Sequence, residues 1–272
     1  MKERIARALS GLDLNYGLER DFVRDQAQQG AAWDRTGVLV LLSPWEDLQA
    51  KSHNWSFILN KRSQNVPQPG DLCFPGGHPS PRMDRFIARV LIPHVLPLGR
   101  SQGISLAQKR EPYLFQAMTF FLAGALRECW EEMRVSPFSL DFLGPLPCYR
   151  MLTRKKIIFP FAASLRGRIR PKTGAEIEKN LLVPLSSFLD PNNYGMVTWS
   201  MTGKWRKIYP VDSADFPCFL ARDKESEEIL WGATFHICLS FLQAVFGFVP
   251  PQDGPVRVSA PLYPAEADKN SS

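Results

Sequence analysis

Two rhythms of apolar and polar positions run along the chain, and each predicts an element. Gly37–Leu42, G-V-L-V-L-L, is a short run of β-branched and aliphatic residues typical of a buried strand. Trp55–Leu59, W-S-F-I-L, predicts a second strand, and Leu72–Gly77, L-C-F-P-G-G, a third that ends in a turn. Phe142–Tyr149, Lys156–Leu165, Lys207–Tyr209 and Phe216–Leu220 are further strand candidates, and Glu176–Leu189 begins as a strand and reaches a helix start at V-P-L-S-S. The 3.6-residue period of an amphipathic helix covers Tyr113–Val135 and Glu228–Phe246. It is weaker over residues 1–30, which predict one or two short helices capping a domain. Residues 78 to about 112 carry the least pattern, with an apolar run, F-I-A-R-V-L-I-P-H-V-L-P-L, broken by prolines. After Pro250 the chain is Pro- and Ser-rich and is expected to be disordered. Strands, one long helix, strands and a terminal helix predict an α+β sandwich, with helices on both sides of a mixed sheet. The expected organisation is a helical segment over 1–32, a main domain over 33–249 and a tail over 250–272.

The chemistry concentrates in Ala125–Val135, A-L-R-E-C-W-E-E-M-R-V. Helical spacings of three and four bring Glu128, Glu131 and Glu132 onto one face, with Leu122, Leu126, Cys129 and Met133 on the apolar side. Clustered carboxylates repel one another unless a cation sits among them. Hard oxygen ligands suit Mg2+ or Mn2+. The competing reading is a solvated helix with an acidic face.

Composition narrows the class. With 272 residues, 44% hydrophobic and 22% charged, the chain can bury one sizeable core or two small ones. A net charge of +6 and a pI near 9.1 suit a phosphate-bearing ligand or simply a basic surface. No Lys/Arg block or basic-aromatic interleaving marks a dedicated nucleic-acid surface. The five cysteines are scattered, odd in number and free of C-x-x-C pairs, which argues for a reducing, cytoplasmic setting and against a zinc site. The N-terminus has no secretory pattern and no apolar run reaches membrane-spanning length, so no membrane partner is expected.

The turn L-C-F-P-G-G and the helix R-E-C-W-E-E at Arg127–Glu132 together resemble the Nudix hydrolases, whose box reads G, five residues, E, seven residues, then R-E-U-x-E-E-x-G-U with U a bulky aliphatic. The likeness leans towards the coenzyme A pyrophosphatase branch. That branch has a K-R-S segment, a Gly and F-P-G-G, here Lys61, Arg62, Ser63, Gly70 and Phe74–Gly77. Downstream, Glu176-Ile177, Val183-Pro184-Leu185-Ser186 and Ile229, Trp231, Gly232 and Thr234 approximate its E-V, V-P-L-S and I-W-G-x-T segments, so the resemblance runs from about Gly37 to Gly247. Three departures stand out. Gly77 and Arg127 are 50 positions apart, against 14 in the pattern, as if an insertion over about 79–112 split the box. The first glutamate has no clear match, with Asp84 or Glu111 as substitutes, and the late glycine is Arg134.

The resemblance implies a Nudix-like α/β/α sandwich over 33–249. It also implies metal-dependent hydrolysis of a phosphoanhydride in a small nucleoside diphosphate derivative, coenzyme A-like or a nucleotide sugar. The implied ligands for Mg2+ or Mn2+ are Glu128, Glu131 and Glu132. Arg127 pairs with Glu131 or a loop carboxylate, Glu176 is the candidate general base unless a box glutamate serves, and Lys61, Arg62, Gly76 and Gly77 line the substrate. His78 and Trp231 are more simply incidental and core. The insertion reads as a lid, a pad on the sheet or a homodimer contact. The alternative is a Nudix-fold binding or regulatory protein that has lost turnover, suggested by the missing glutamate and the split box.

Overall fold

In the computed structural model, the structure describes residues 1–47, 52–109, 112–167, 171–201, 206, 210–222, 226–251 and 254–259. Two helices lead, α1 (Lys2–Ser10) and α2 (Tyr16–Gln28). Then come β1 (Asp34–Asp47), β2 (Ser52–Arg62) and the two-residue strands β3 (Leu72–Cys73) and β4 (Gly76–Gly77). The segment expected as an insertion is helical throughout much of its length: α3 (Pro81–Phe86), a π-helix over Ile87–Val95, a 3-10 turn at Pro97–Arg100 and α4 (Gln102–Ala107). The long helix α5 (Pro112–Met133) follows, then β5 (Leu140–Pro145), β6 (Tyr149–Met151), β7 (Lys156–Leu165) and β8 (Ile177–Pro184). The chain closes with β9 (Tyr194–Ser200), β10 (Ser213–Arg222), β11 (Glu227–Trp231), α6 (Gly232–Phe246) and β12 (Val256–Ser259).

The main sheet runs β3-β2-β1-β7-β5, with β4 on β1, β6 on β7 and β8 on β2. It is mixed: β1 lies parallel to β7 and antiparallel to β2. The G-V-L-V-L-L run is apolar on both faces because both are covered. Leu39 and Leu41 pack under α5, while Val40 and Leu42 pack on the side of α1 and α6. The α+β sandwich with a mixed sheet expected from the sequence is therefore present. A second, four-stranded sheet, β11-β10-β9-β12, lies towards α6.

Two expectations are corrected. Glu228–Phe246 is not one helix: its first residues belong to β11, paired with β10, and Gly232 at φ +62° turns the chain into α6. Glycine adopts this left-handed conformation without strain. Part of the expected disordered tail is ordered, since β12 adds to β9 in parallel and covers that strand's edge. The expected strands around a turn at Phe142–Tyr149 are found as β5 and β6. The strand expected at Lys207–Tyr209 lies outside the described residues.

The helix α5 obeys its pattern. Leu122, Leu126, Cys129 and Met133 are at most 2% exposed, and burying a large apolar side chain contributes roughly 1.5–3 kcal/mol. Where it ends, Arg134 takes φ +54°, the left-handed conformation usual at a helix C-terminus but costly for a side chain with a Cβ. Arg134→Gly should stabilise the fold by up to about 1 kcal/mol, read as a higher urea midpoint at unchanged slope. All five thiols are free, and burial raises the pKa of each, Cys73 up to about 12, so they stay protonated at neutral pH.

Candidate functional site

The acidic face of α5 meets the β4 turn through one cation. The Arg127 guanidinium donates from Nε to Asp84 Oδ1 at 3.0 Å and from Nη2 to the His78 carbonyl at 2.9 Å. Its Nη1 lies 2.8 Å from Glu128 Oε1 and 3.0 Å from Glu131 Oε2. Asp84 is 0% exposed and also accepts from the Ser80 N–H at 2.6 Å, so its charge is fully paired. Burial alone would lower the pKa of Arg127, but Asp84 and Glu128 more than offset that and hold it above its ordinary value.

Glu128 and Glu132 form the electrostatic centre. Burial raises both pKa values, that of Glu132 up to about 8; Glu128 and Glu176 raise Glu132 further, while Glu131 and Asp84 raise Glu128 against the opposing pull of Arg127. Arg62 and the Gly76 N–H act in the opposite sense on Glu132. Asn60, fully buried on β2, donates from Nδ2 to Glu132 Oε2 at 3.3 Å, while its own Oδ1 has no hydrogen-bond partner. Two half-buried carboxylates beside an unsatisfied amide oxygen are a donor set suited to a hard cation. Glu131 stands apart, half exposed and drawn to Arg127. Among the described residues, no three His, Cys, Asp or Glu side chains are drawn together as a ready-made set of metal ligands.

The remaining sequence candidates divide. Glu176 is exposed in the turn before β8; its carbonyl accepts from the Ser63 N–H at 2.9 Å, and its charge reaches Glu132. Arg62 lies on the same side, its Nε bonded to the Pro67 carbonyl at 2.7 Å. Lys61 does not join it. Adjacent strand residues face opposite sides, and the Lys61 ammonium sits 3.1 Å from both Glu178 and Glu228, with Lys179 2.7 Å from Glu228. His78 contributes its carbonyl, while its exposed ring lies 3.5 Å from Asp34. Trp231 packs against Trp199 and Phe216 and donates to Asp71 at 3.0 Å. Of the two substitutes for the first glutamate, Glu111 lies outside the described residues and Asp84 is found on Arg127. Sequence reasoning left Asp84 unplaced and passed over Asn60, whose signal was a polar residue closing an apolar strand.

The glycine pair makes the contact possible in two ways. A Cβ on Gly76 would fall 2.4 Å from the Gly37 carbonyl oxygen, which is fixed backbone, whereas one on Gly77 would fall 2.5 Å from the Glu128 carboxyl carbon, the free end of a side chain. Gly77→Ala should therefore cost under about 1 kcal/mol in stability yet displace Glu128 and lower activity about 100-fold, measured as melting temperature and turnover on the same preparation.

No protein-family model matches the chain, and neither does the sequence of any curated protein. Solved structures with a similar fold include proteins named as Nudix proteins. A MutT/Nudix family protein from Enterococcus faecalis is 12% identical over 86% of this chain and 73% of that one, with a TM-score of 0.44. A C. elegans Ap4A hydrolase in a binary complex is 15% identical over 56% of this chain and 81% of that one, TM-score 0.34. The NUDIX domain of Shewanella oneidensis NrtR, complexed with ADP ribose, is 16% identical over 63% and 86%, TM-score 0.35.

Proposed function

We propose that the protein is a Nudix-type pyrophosphohydrolase that cleaves a phosphoanhydride in a small nucleoside diphosphate derivative, coenzyme A-like or a nucleotide sugar. The observation that carries this reading is the half-buried carboxylates of Glu128 and Glu132 beside the β4 turn, Glu128 held by Arg127, which Asp84 anchors, and Glu132 by Asn60 and the Gly76 N–H. In this reading Glu128 and Glu132 hold Mg2+ or Mn2+, with Glu131 as the third carboxylate once it leaves Arg127. A metal held there would neutralise the phosphate oxygens and make a bound water more acidic. Arg127 fixes the helix against the turn. Arg62, not Lys61, meets the substrate phosphates, because Lys61 is committed to Glu178 and Glu228 on the other face. Glu176 takes the proton from the attacking water as the P–O bond to the leaving phosphate breaks, and its exposure leaves it free to exchange that proton with solvent.

A second reading, a lapsed enzyme that binds nucleotides, is favoured by Arg127 engaging two of the three glutamates. Product release from a panel of such diphosphates with Mg2+ or Mn2+, run on the wild type and on Glu132→Gln, separates the two. Hydrolysis that disappears in the variant supports the enzyme. Tight binding of one compound with no hydrolysis by the wild type supports the lapsed protein. If coenzyme A is ignored while a nucleotide sugar is cut, the coenzyme A branch is excluded.

A further inference from the structure

The helical segment between β4 and α5 turns a second face to solvent. Its inward residues are Asp84 on Arg127 and, further along, Ile92, Leu96 and Leu98 in the core. Outward stand Met83, Phe86 and Val90, which are 52%, 51% and 39% exposed and are spaced three and four apart, so they form one apolar stripe. Arg82, Arg85 and Arg89 share that spacing one position earlier and form an exposed basic stripe beside it. Among the described residues, none of the three arginines has an acidic partner within ion-pair distance. Val95, 50% exposed, prolongs the apolar stripe at the end of the π-helix. The core residues behind it prevent this face from turning inward.

We propose that this face seats the protein on the surface of an anionic lipid bilayer. The apolar stripe is suited to the boundary between headgroups and acyl chains, and the guanidinium forks to lipid phosphates. A two-fold contact with a second copy would bring the two sets of arginines towards one another, which disfavours that occupant. The attachment lies on the surface only: among the described residues, no helix is long and apolar enough to cross a membrane. Asp84, on the opposite side of α3, places Arg127 on the order of 10 Å, one helix diameter, from the bilayer. The proposal stands on this surface alone and does not depend on the reading of the acidic helix.

Co-sedimentation of the full chain with vesicles tests it, using phosphatidylcholine alone and phosphatidylcholine mixed with phosphatidylserine. The chain should sediment with the anionic vesicles, only weakly with the neutral ones, and less as salt rises. The triple variant Arg82→Glu, Arg85→Glu and Arg89→Glu should partition on the order of 100-fold more weakly, at about a factor of five or more per arginine. Met83→Ser, Phe86→Ser and Val90→Ser together should also release the protein, with an unchanged circular dichroism spectrum. Equal binding to both vesicle types, undiminished binding of the arginine variant or failure to sediment with either vesicle overturns the proposal. A dimer that dissociates in the serine variant, without vesicle binding, overturns it in favour of a second copy.

Discussion

Glu132→Gln is expected to lower turnover roughly 10³-fold while leaving the fold intact, the scale at which single groups stabilising charge at a reacting centre act. Gln keeps the shape and retains an acceptor for Asn60 and the Gly76 N–H, so the change removes charge more than packing. The same substitution alters the pH dependence of stability in chelator-treated protein. An acid whose folded-state pKa lies above its unfolded value binds its proton more tightly when folded. For Glu132 the favourable contribution is complete below about pH 4.5 and is lost as pH rises towards 8. The metal-free wild type should therefore lose stability from acid to mildly alkaline pH, on the order of a few kcal/mol, and the Gln variant should show a flatter profile. Thermal melts across that range check this, and a wild-type profile as flat as the variant's would contradict it.

Arg127→Met should be the most destabilising substitution at the site. It leaves Asp84, 0% exposed, with a buried charge and only the Ser80 N–H as partner. Removing one member of a buried pair costs about 3–5 kcal/mol. For a chain of this size, that corresponds to a melting point lower by about 10 °C. Asp84→Asn combined with Arg127→Met should recover much of the loss, since no buried charge then remains. A double-mutant cycle that instead shows additive losses would place the cost of Arg127→Met elsewhere.

The sequence made the C-terminal half of α5 legible to its faces, because period and polarity agree there and its core side is buried as the spacing requires, whereas Phe121–Leu126 are buried all round. The strands were legible where apolar runs are buried on both sides. Lys61 and Arg62 bond to different partners for a local reason: neighbours on a strand face opposite ways, so a dipeptide of like charges need not act together. Asp84 was illegible for a non-local one. It pairs with an arginine 43 positions later, and nothing in its own surroundings marks it as the buried member of that pair. Strand β12 needed the free edge of β9, which a Pro-rich tail does not advertise. Asn60 was hidden by its place at the end of an apolar strand, where a polar residue usually marks the surface.

Arg127 holds Asp84, Glu128, Glu131 and the His78 carbonyl with one side chain. In terms of linkage, these partners share a single donor, so a ligand that draws Glu128 or Glu131 away alters the balance of forces on α3 as well. Such a coupling would be reciprocal: if the acidic helix binds a cation as proposed, whatever strengthens or loosens the seat of α3 would change that affinity by the same factor. The arginine thus joins the helical segment between β4 and α5 mechanically to the acidic face of α5.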